Sequence, residues 1–173
     1  MNIITNRLIL RPFNENDAKE MYKNWTYDER VAKYCRWYPH PNIEATEQLL
    51  EMYLNDQNNG FKYRWGITLK STNELIGCID AVDISDNGKT ATMGYLLSYE
   101  YWNKGYITEA LKAVINRMFA DGFTKIQAEH HIENPASGSV MKKCGMKFVK
   151  YRKAQRKFGS DELCETKLYE ITK

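Results

Sequence analysis

Over residues 5–13 apolar and polar positions alternate: Leu8 and Leu10 share one face, Ile9 and Arg11 take the other, and Pro12 stops the run. A period of two belongs to a half-buried strand. The period then lengthens to that of a helix, with Ala18, Met21, Tyr22 and Trp25 on one stripe and Asp17 in the first turn, where a carboxylate complements the helix dipole. A second helix is expected from about Ile43 to Asp56, because Leu49, Leu50, Tyr53 and Leu54 line one side and Asn58-Asn59-Gly60 ends it.

Three runs of strand composition follow, Tyr63–Leu69, Leu75–Ile84 and Thr90–Leu97, separated by Ser71-Thr72-Asn73 and Ser85-Asp86-Asn87-Gly88. Turn residues in such short connections make hairpins, so these strands are expected to form an antiparallel meander. From Thr108 the stripe Leu111, Val114, Ile115, Met118 and Phe119 predicts a helix ending before Gly122, and Lys125–Ile132 predicts the strand after it. Pro135 suits the first turn of another helix, with Val140 and Cys144 inward and Gly145 as its cap; strands Lys147–Lys153 and Cys164–Thr172 close the chain. The expected class is a mixed α/β (α+β) fold, read as a single domain over residues 1–173, because a chain of that length has no room for a second core.

An apolar fraction of 43%, with 27% charged residues, 10 Gly and 4 Pro, excludes disorder and low complexity. No apolar run approaches the ~18 residues of a spanning helix, and Arg7 and Arg11 stand where a secretory signal would be greasy. A cytoplasmic protein with no membrane role is expected. Cys35, Cys78, Cys144 and Cys164 form no CxxC pair, and His40, His130 and His131 lack the i, i+4 spacing that sets two imidazoles on one ion, so reduced thiols and no metal site are expected. Charge is uneven. Between Asn134 and Ser160 stand eight basic residues, Lys142 and Lys143 among them, and no acid, which leaves −5 on the remainder of a chain whose formal charge is +3. Such a block either faces an anion or forms a solvated face. Tyr151 and Phe158 interleave with it, but no RNA-binding motif accompanies them, and nucleic acid is not expected as a partner.

The segment Trp102-Asn103-Lys104-Gly105-Tyr106-Ile107-Thr108 joins the last meander strand to the strongest helix. Free N–H groups at a helix N-terminus converge with the positive end of its dipole, and Gly105 lets an anion come close. Asn103 tolerates the left-handed conformation that such a nest needs, and Lys104 adds a charge. An ordinary strand-to-helix turn is the plain alternative.

The motif Trp-x-Lys-Gly-Tyr-x-Thr-Glu-Ala over 102–110 is followed by Asn134-Pro-Ala-Ser137-x-x-Val140-Met141-x-Lys143-x-Gly145-Met146. As a pair they resemble the GNAT superfamily of acyl-coenzyme A N-acetyltransferases, and most nearly its RimJ/RimL branch. The Arg7-Leu-x-Leu-Arg11 opening and the Gly77 strand match as well, so the resemblance covers nearly the whole chain. It implies a mostly antiparallel mixed sheet splayed in the middle, with helices on both faces and acetyl-coenzyme A (acetyl-CoA) lying in the opening. It further implies that the loop from Trp102 through Asn103, Lys104, Gly105, Tyr106 and Ile107 to Thr108 binds the pyrophosphate through its amides. Leu97 N–H would polarise the thioester carbonyl, Asn134 would hold the pantetheine, and Lys142 and Lys143 would meet the remaining phosphate. Ser137 would lie beside the cofactor and protonate the departing sulfur, unless it merely caps its helix. Trp102 and Ile107 stand where the superfamily usually has Arg or Gln and Gly or Ala, and Ile107 leaves less space at the pyrophosphate.

Many relatives carry a Glu two residues before Gly94, where this chain has Thr92. Asp80, Asp83, Glu129, His130 and His131 remain as candidate bases. His130 comes first, because it ends the strand bordering the splay and an imidazole accepts protons near neutral pH. A weak base matters for the acceptor: at pH ~7.4 deprotonation costs about 4 kcal/mol for a lysine amine but under ~1 for an α-amine. The expected function is direct acetyl transfer in a ternary complex to a protein or peptide N-terminus, of the ribosomal-protein kind. The alternatives are a small drug or metabolite amine as acceptor, or a non-catalytic acyl-CoA sensor. Trp25, Tyr34, Trp37 and Tyr38 are candidates for an aromatic acceptor rim as well as for core packing, and the exposed late strands leave a homodimer open.

Overall fold

Eight strands form one sheet in the computed structural model, which describes residues 1–173. They are β1 (Ile3–Ile4), β2 (Leu8–Arg11), β3 (Arg64–Leu69), β4 (Leu75–Ser85), β5 (Thr90–Leu97), β6 (Lys125–His131), β7 (Lys147–Gln155) and β8 (Leu163–Thr172). Their order across the sheet is β1-β2-β3-β4-β5-β6-β8-β7. The meander of β3, β4 and β5 is antiparallel as expected, and the pattern over residues 5–13 is realised in β2, where Leu8 and Leu10 are fully buried.

Five α-helices accompany the sheet: α1 (Ala18–Met21), which runs on through a wide π-helical turn at Tyr22–Thr26, α2 (Glu29–Ala32), α3 (Ile43–Asn58), α4 (Tyr106–Ala120) and α5 (Pro135–Lys143). β1 and α2 were not expected; segments of two and four residues are too short to display a period. Asp28 starts α2 by accepting the Arg30 N–H at 2.9 Å. Asp17 serves less as a dipole partner than anticipated, because its two oxygens each accept an Arg11 guanidinium N–H at 2.8 Å.

The two faces carry separate apolar clusters. On one, α4 and α5 cover Leu8, Leu10, Ile67, Ile79, Met93 and Ile126 with Leu111, Met118 and Met141. On the other, α1 to α3 pack Met21, Trp25 and Leu50 against Phe13, Leu75 and Cys78.

β5 and β6 form the sheet's parallel pair, joined by the α4 crossover that parallel strands require. Their pairing runs from Thr90↔Lys125 to Met93↔Ala128 and stops. Beyond it β5 stays with β4 as far as Gly77↔Leu97, while β6 stays with β8 as far as His131↔Thr166. The sheet therefore splits, leaving an opening between residues 94–97 and 129–131.

Candidate active site

The loop from β5 into α4 enters the opening at its wide end. A 3-10 turn at Tyr99–Tyr101 starts it, and the Trp102 indole N–H donates back to the Leu97 carbonyl at 2.9 Å. Asn103 (φ 59°) and Gly105 (φ 79°) both adopt the left-handed conformation, turning successive peptide N–H groups to one side. The first α4 amide with an acceptor is that of Glu109, bonded to the Gly105 carbonyl at 3.1 Å. From Asn103 to Thr108, six consecutive N–H groups donate to no group of the protein, an anion nest continuous with the helix N-terminus. Ile107 packs its side chain against the core cluster of α4, and Lys104 is exposed beside the Tyr101 ring.

Arg7 and Glu109 set the shape of this loop. Glu109 accepts from Thr5 Oγ1 (2.6 Å), Arg7 N–H (2.8 Å) and Arg7 Nε (2.7 Å), while Arg7 Nη1 donates to the Lys104 carbonyl at 3.0 Å. The guanidinium also lies 4.3 Å from the Tyr106 ring centroid. Burial alone would raise the Glu109 pKa, but these hydrogen bonds outweigh it and hold the carboxyl below its usual range. A carboxylate in the first turn is thus turned away from the nest.

Strand alternation orients Leu97. Ser98 N–H donates to the Ile76 carbonyl at 2.8 Å, so in the antiparallel ladder the neighbouring Leu97 peptide N–H points away from β4, into the split. Tyr95 lies on the α4/α5 face and reaches across the opening, where its hydroxyl is 2.9 Å from Ser137 Oγ and donates to the Ser137 carbonyl at 3.1 Å. Burial raises the Tyr95 phenol pKa, so the group stays protonated. The cap of α5 is Asn134, whose Oδ1 accepts the Ser137 N–H at 3.3 Å; its amide nitrogen has no protein partner. Ser137 is therefore not the capping residue, and Tyr95 is a site residue that sequence reasoning missed. Lys142 and Lys143 stand exposed in the last turn of α5, at the opposite end from Asn134.

His130 also lies on the α5 face, with 7% of its surface exposed. Its Nδ1 donates to the His131 carbonyl at 2.8 Å, and its Nε2 is buried against Gly138 without a hydrogen-bond partner. A Cβ on Gly138 would lie 2.5 Å from that nitrogen, so the helix needs glycine there. Burial lowers the His130 pKa. The ring is thus enclosed and neutral, whereas the sequence predicts here a base that accepts protons near neutral pH. His131 points to the opposite, open face, where Glu133 N–H donates to Nδ1 at 3.1 Å, Arg156 Nη1 stands 3.1 Å from Nε2, and the Tyr34 ring lies tilted with its centroid at 5.9 Å.

The open face is walled by the segment after α2 and the β7–β8 connection. Lys157 Nζ donates to the carbonyls of Ala32 (2.6 Å), Cys35 (2.9 Å) and Trp37 (3.0 Å), and Phe158 N–H donates to that of Arg36 at 2.6 Å. Trp25 is core and Tyr38 exposed, while Tyr34 and Trp37 are half-buried along the wall. All four cysteines are free thiols, and burial lifts Cys35 to about 12 and Cys144 to about 11.

A family model for the acetyltransferase (GNAT) domain matches residues 7–147, a span that carries Arg7, the split, the nest and α5. The uncharacterized N-acetyltransferase YoaA of Bacillus subtilis (strain 168) is 32% identical over 147 residues, 82% of this chain and 80% of that protein. A GNAT-family acetyltransferase from Bacillus anthracis has a TM-score of 0.86 at 26% identity, covering 99% of this chain and 98% of that one. Two structures share the fold at lower identity. One is a Salmonella typhimurium acetyl transferase that modifies the N-terminal serine of a 50S ribosomal subunit protein (17%, coverage 100% and 99%, TM-score 0.84). The other is spermidine N-acetyltransferase from Vibrio cholerae, in complex with CoA and spermine (18%, coverage 95% and 95%, TM-score 0.79). No helix is long and apolar enough to cross a membrane. With the nest, the split sheet and these matches in agreement, the chain belongs to the GNAT acetyltransferase family and is an acetyl-CoA-dependent N-acetyltransferase.

Proposed function

We propose that this enzyme acetylates the N-terminal α-amine of a protein or peptide by direct attack, with both substrates bound together. The six free amides from Asn103 to Thr108, held by Trp102 and Arg7, are assigned to the pyrophosphate, with Lys104 adding charge. Leu97 N–H is assigned to the thioester oxygen, where a preorganised donor stabilises the charge that develops in acyl transfer. Asn134, through its free amide nitrogen, and Ser137 are assigned to the pantetheine, and Lys142 and Lys143 to the remaining phosphate. The Ser137 hydroxyl, hydrogen-bonded to Tyr95, delivers a proton to the departing sulfur. Direct transfer is supported by the thiols: burial raises the pKa of all four, Cys35 to about 12 and Cys144 to about 11, which disfavours the thiolate an acyl-enzyme needs.

The observation that carries the acceptor class is the charge of the open face. Three carboxylates around the split have arginine partners, Asp80 with Arg64 at 3.2 Å, Glu129 with Arg152 at 3.7 Å and Glu162 with Arg156 at 3.5 Å, whereas Asp83, opposite Thr92, and Glu170, which accepts from Gln127, lie on the same face towards the β5–β6 pairing and away from the split. A polyamine needs unpaired carboxylates for its further cations, whereas a peptide terminus brings one cation and neutral backbone, for which Tyr34 offers an aromatic wall. Proteins of this fold act on both kinds of amine, so the fold alone does not decide.

The test is acetyl-CoA with three acceptors: a peptide with a free N-terminus, an N-blocked peptide with one internal lysine, and spermidine, followed by thiol release and mass spectrometry. Monoacetylation at the free terminus is expected, with the other two at roughly a hundredth of that rate or less, the ratio implied by the costs of deprotonation. Preference for spermidine overturns the acceptor class. An acetylated protein trapped without amine overturns direct transfer.

A further inference from the structure

The family's usual carboxylate position on β5 holds Thr92, and the structure offers another carboxylate nearer the split. Asp80 on β4 pairs across the ladder with Gly94, the first β5 residue beyond the last β5–β6 pair. Its side chain projects on the open face, where Arg64 Nε donates to Oδ2 at 3.2 Å. Arg64 is itself fixed, by Asp56 Oδ2 at 2.8 Å and by the Tyr53 ring at 4.0 Å. Oδ1 has no protein partner. It leans over the backbone of Gly94: a Cβ there would lie 3.4 Å from Oδ1 and 2.8 Å from Val82 Cγ1. A residue without a side chain thus forms a notch at the vertex of the split, and the free oxygen of Asp80 overhangs it, 16% of the side chain still exposed.

We propose that Asp80 is the general base for the acceptor amine, acting through water from the Gly94 notch. The distances favour it over Thr92. Gly94 is three residues, roughly 10 Å, from Leu97 along the strand, and Thr92 is five, roughly 16 Å. The other groups on this face are less well placed: Asp83 stands opposite Thr92 and so as far from Leu97 as that residue, His131 faces Glu133 N–H and the Arg156 guanidinium with its two ring nitrogens, only one of which accepts in the neutral ring, and Glu129 lies against Arg152 and accepts from Thr166 Oγ1 at 3.4 Å. Burial raises the Asp80 pKa, with Arg64 opposing it, which moves the carboxylate towards the strength a base at neutral pH needs. The proton balance is complete. Asp80 removes one proton from the ammonium, the neutral nitrogen attacks the thioester carbonyl carbon, and the C–S bond breaks. The tetrahedral nitrogen's second proton balances the one taken up by sulfur. Ammonium and thioester thus become amide, thiol and one proton, which Asp80 passes to water.

This assignment rests on acetyl transfer, not on the acceptor class proposed above, so its test runs on whichever primary amine the enzyme acetylates. The probe is that amine beside its aminooxy analogue, which is already neutral at every assay pH. For Asp80→Asn we expect kcat/KM to fall by on the order of a hundredfold or more with the amine, and by less than about threefold with the aminooxy analogue. Acetyl-CoA binding, measured by calorimetry on the same sample, should be unchanged. The acidic limb of the wild-type pH profile should disappear, Asp80→Glu should recover part of the rate, and Glu129→Gln should stay within a few-fold of wild type. Equal losses on both probes, an Asp80→Asn enzyme with more than a tenth of the amine rate, or a large loss in Glu129→Gln instead would overturn the assignment. Should Asp80→Asn fail to bind acetyl-CoA, Gly94→Ala, whose Cβ presses on Val82 and fills the notch beside Oδ1 where the water would sit, must show the same selective loss on the amine; an equal loss on both probes overturns it there too.

Discussion

Gly105 allows the cost of one backbone conformation to be measured. It caps α4 at φ 79° and ψ 2°, and a Cβ there would meet only Arg7 Nη2, at an ordinary 3.5 Å. Gly105→Ala therefore adds no clash within the protein, and what remains is the left-handed conformation itself, about 1–2 kcal/mol for an L-residue. The free loop either keeps its shape, so that the cost appears as lost folding stability, or relaxes, so that it appears as lost acetyl-CoA affinity. The two losses should total about 1–2 kcal/mol, a five- to thirtyfold weaker Kd if all of it falls on binding. Gly105→Val adds a β-branch in a region such residues almost never enter, and the total should exceed about 3 kcal/mol. Asn103 at φ 59° is the control, since Asn103→Gly should total near zero. Urea unfolding gives the first loss and calorimetric titration with acetyl-CoA the second. If Gly105→Ala changes neither, or Gly105→Val binds as tightly as wild type, the nest is misassigned.

The remaining predictions concern the α5 side of the split. His130 has a lowered pKa because its ring is buried, so below about pH 6.5 the unfolded chain binds a proton that the folded one refuses, and stability should fall with pH in that window. His130→Ala should flatten that part of the urea-midpoint profile and lower kcat less than tenfold; a hundredfold loss with intact acetyl-CoA binding would return His130 as the base. Gly138→Ala should cost about 1–3 kcal/mol by crowding that ring, mostly relieved in the double variant with His130→Ala. Tyr95→Phe and Ser137→Ala should each lower kcat with little change in acetyl-CoA affinity, and the double variant should be no worse than the poorer single one. Additive losses would separate the two hydroxyls.

What the sequence made legible is what local burial imposes. Leu8 and Leu10 in β2, or Leu111 and Met118 in α4, repeat at the period of their element because each faces the core. The nest was legible too, since Asn103 and Gly105 are the residue types that left-handed geometry selects. What stayed hidden depends on residues distant in sequence. Arg7 turns the Glu109 carboxylate away from the nest across 102 positions, and Tyr95 takes the Ser137 hydroxyl across 42. Adjacent histidines had to face opposite ways, but only the seat of α5 decides that His130 is the enclosed one. The same holds for proton transfer. Asp80 by itself is one acid on a strand, indistinguishable from Asp83 by pattern. Arg64 on one side, Gly94 beneath and the end of β5–β6 pairing beside it distinguish the two, and none of these is a local property of the chain. A missing glutamate at Thr92 is therefore weak grounds for inferring a site without a base, because the same space is reached from the neighbouring strand.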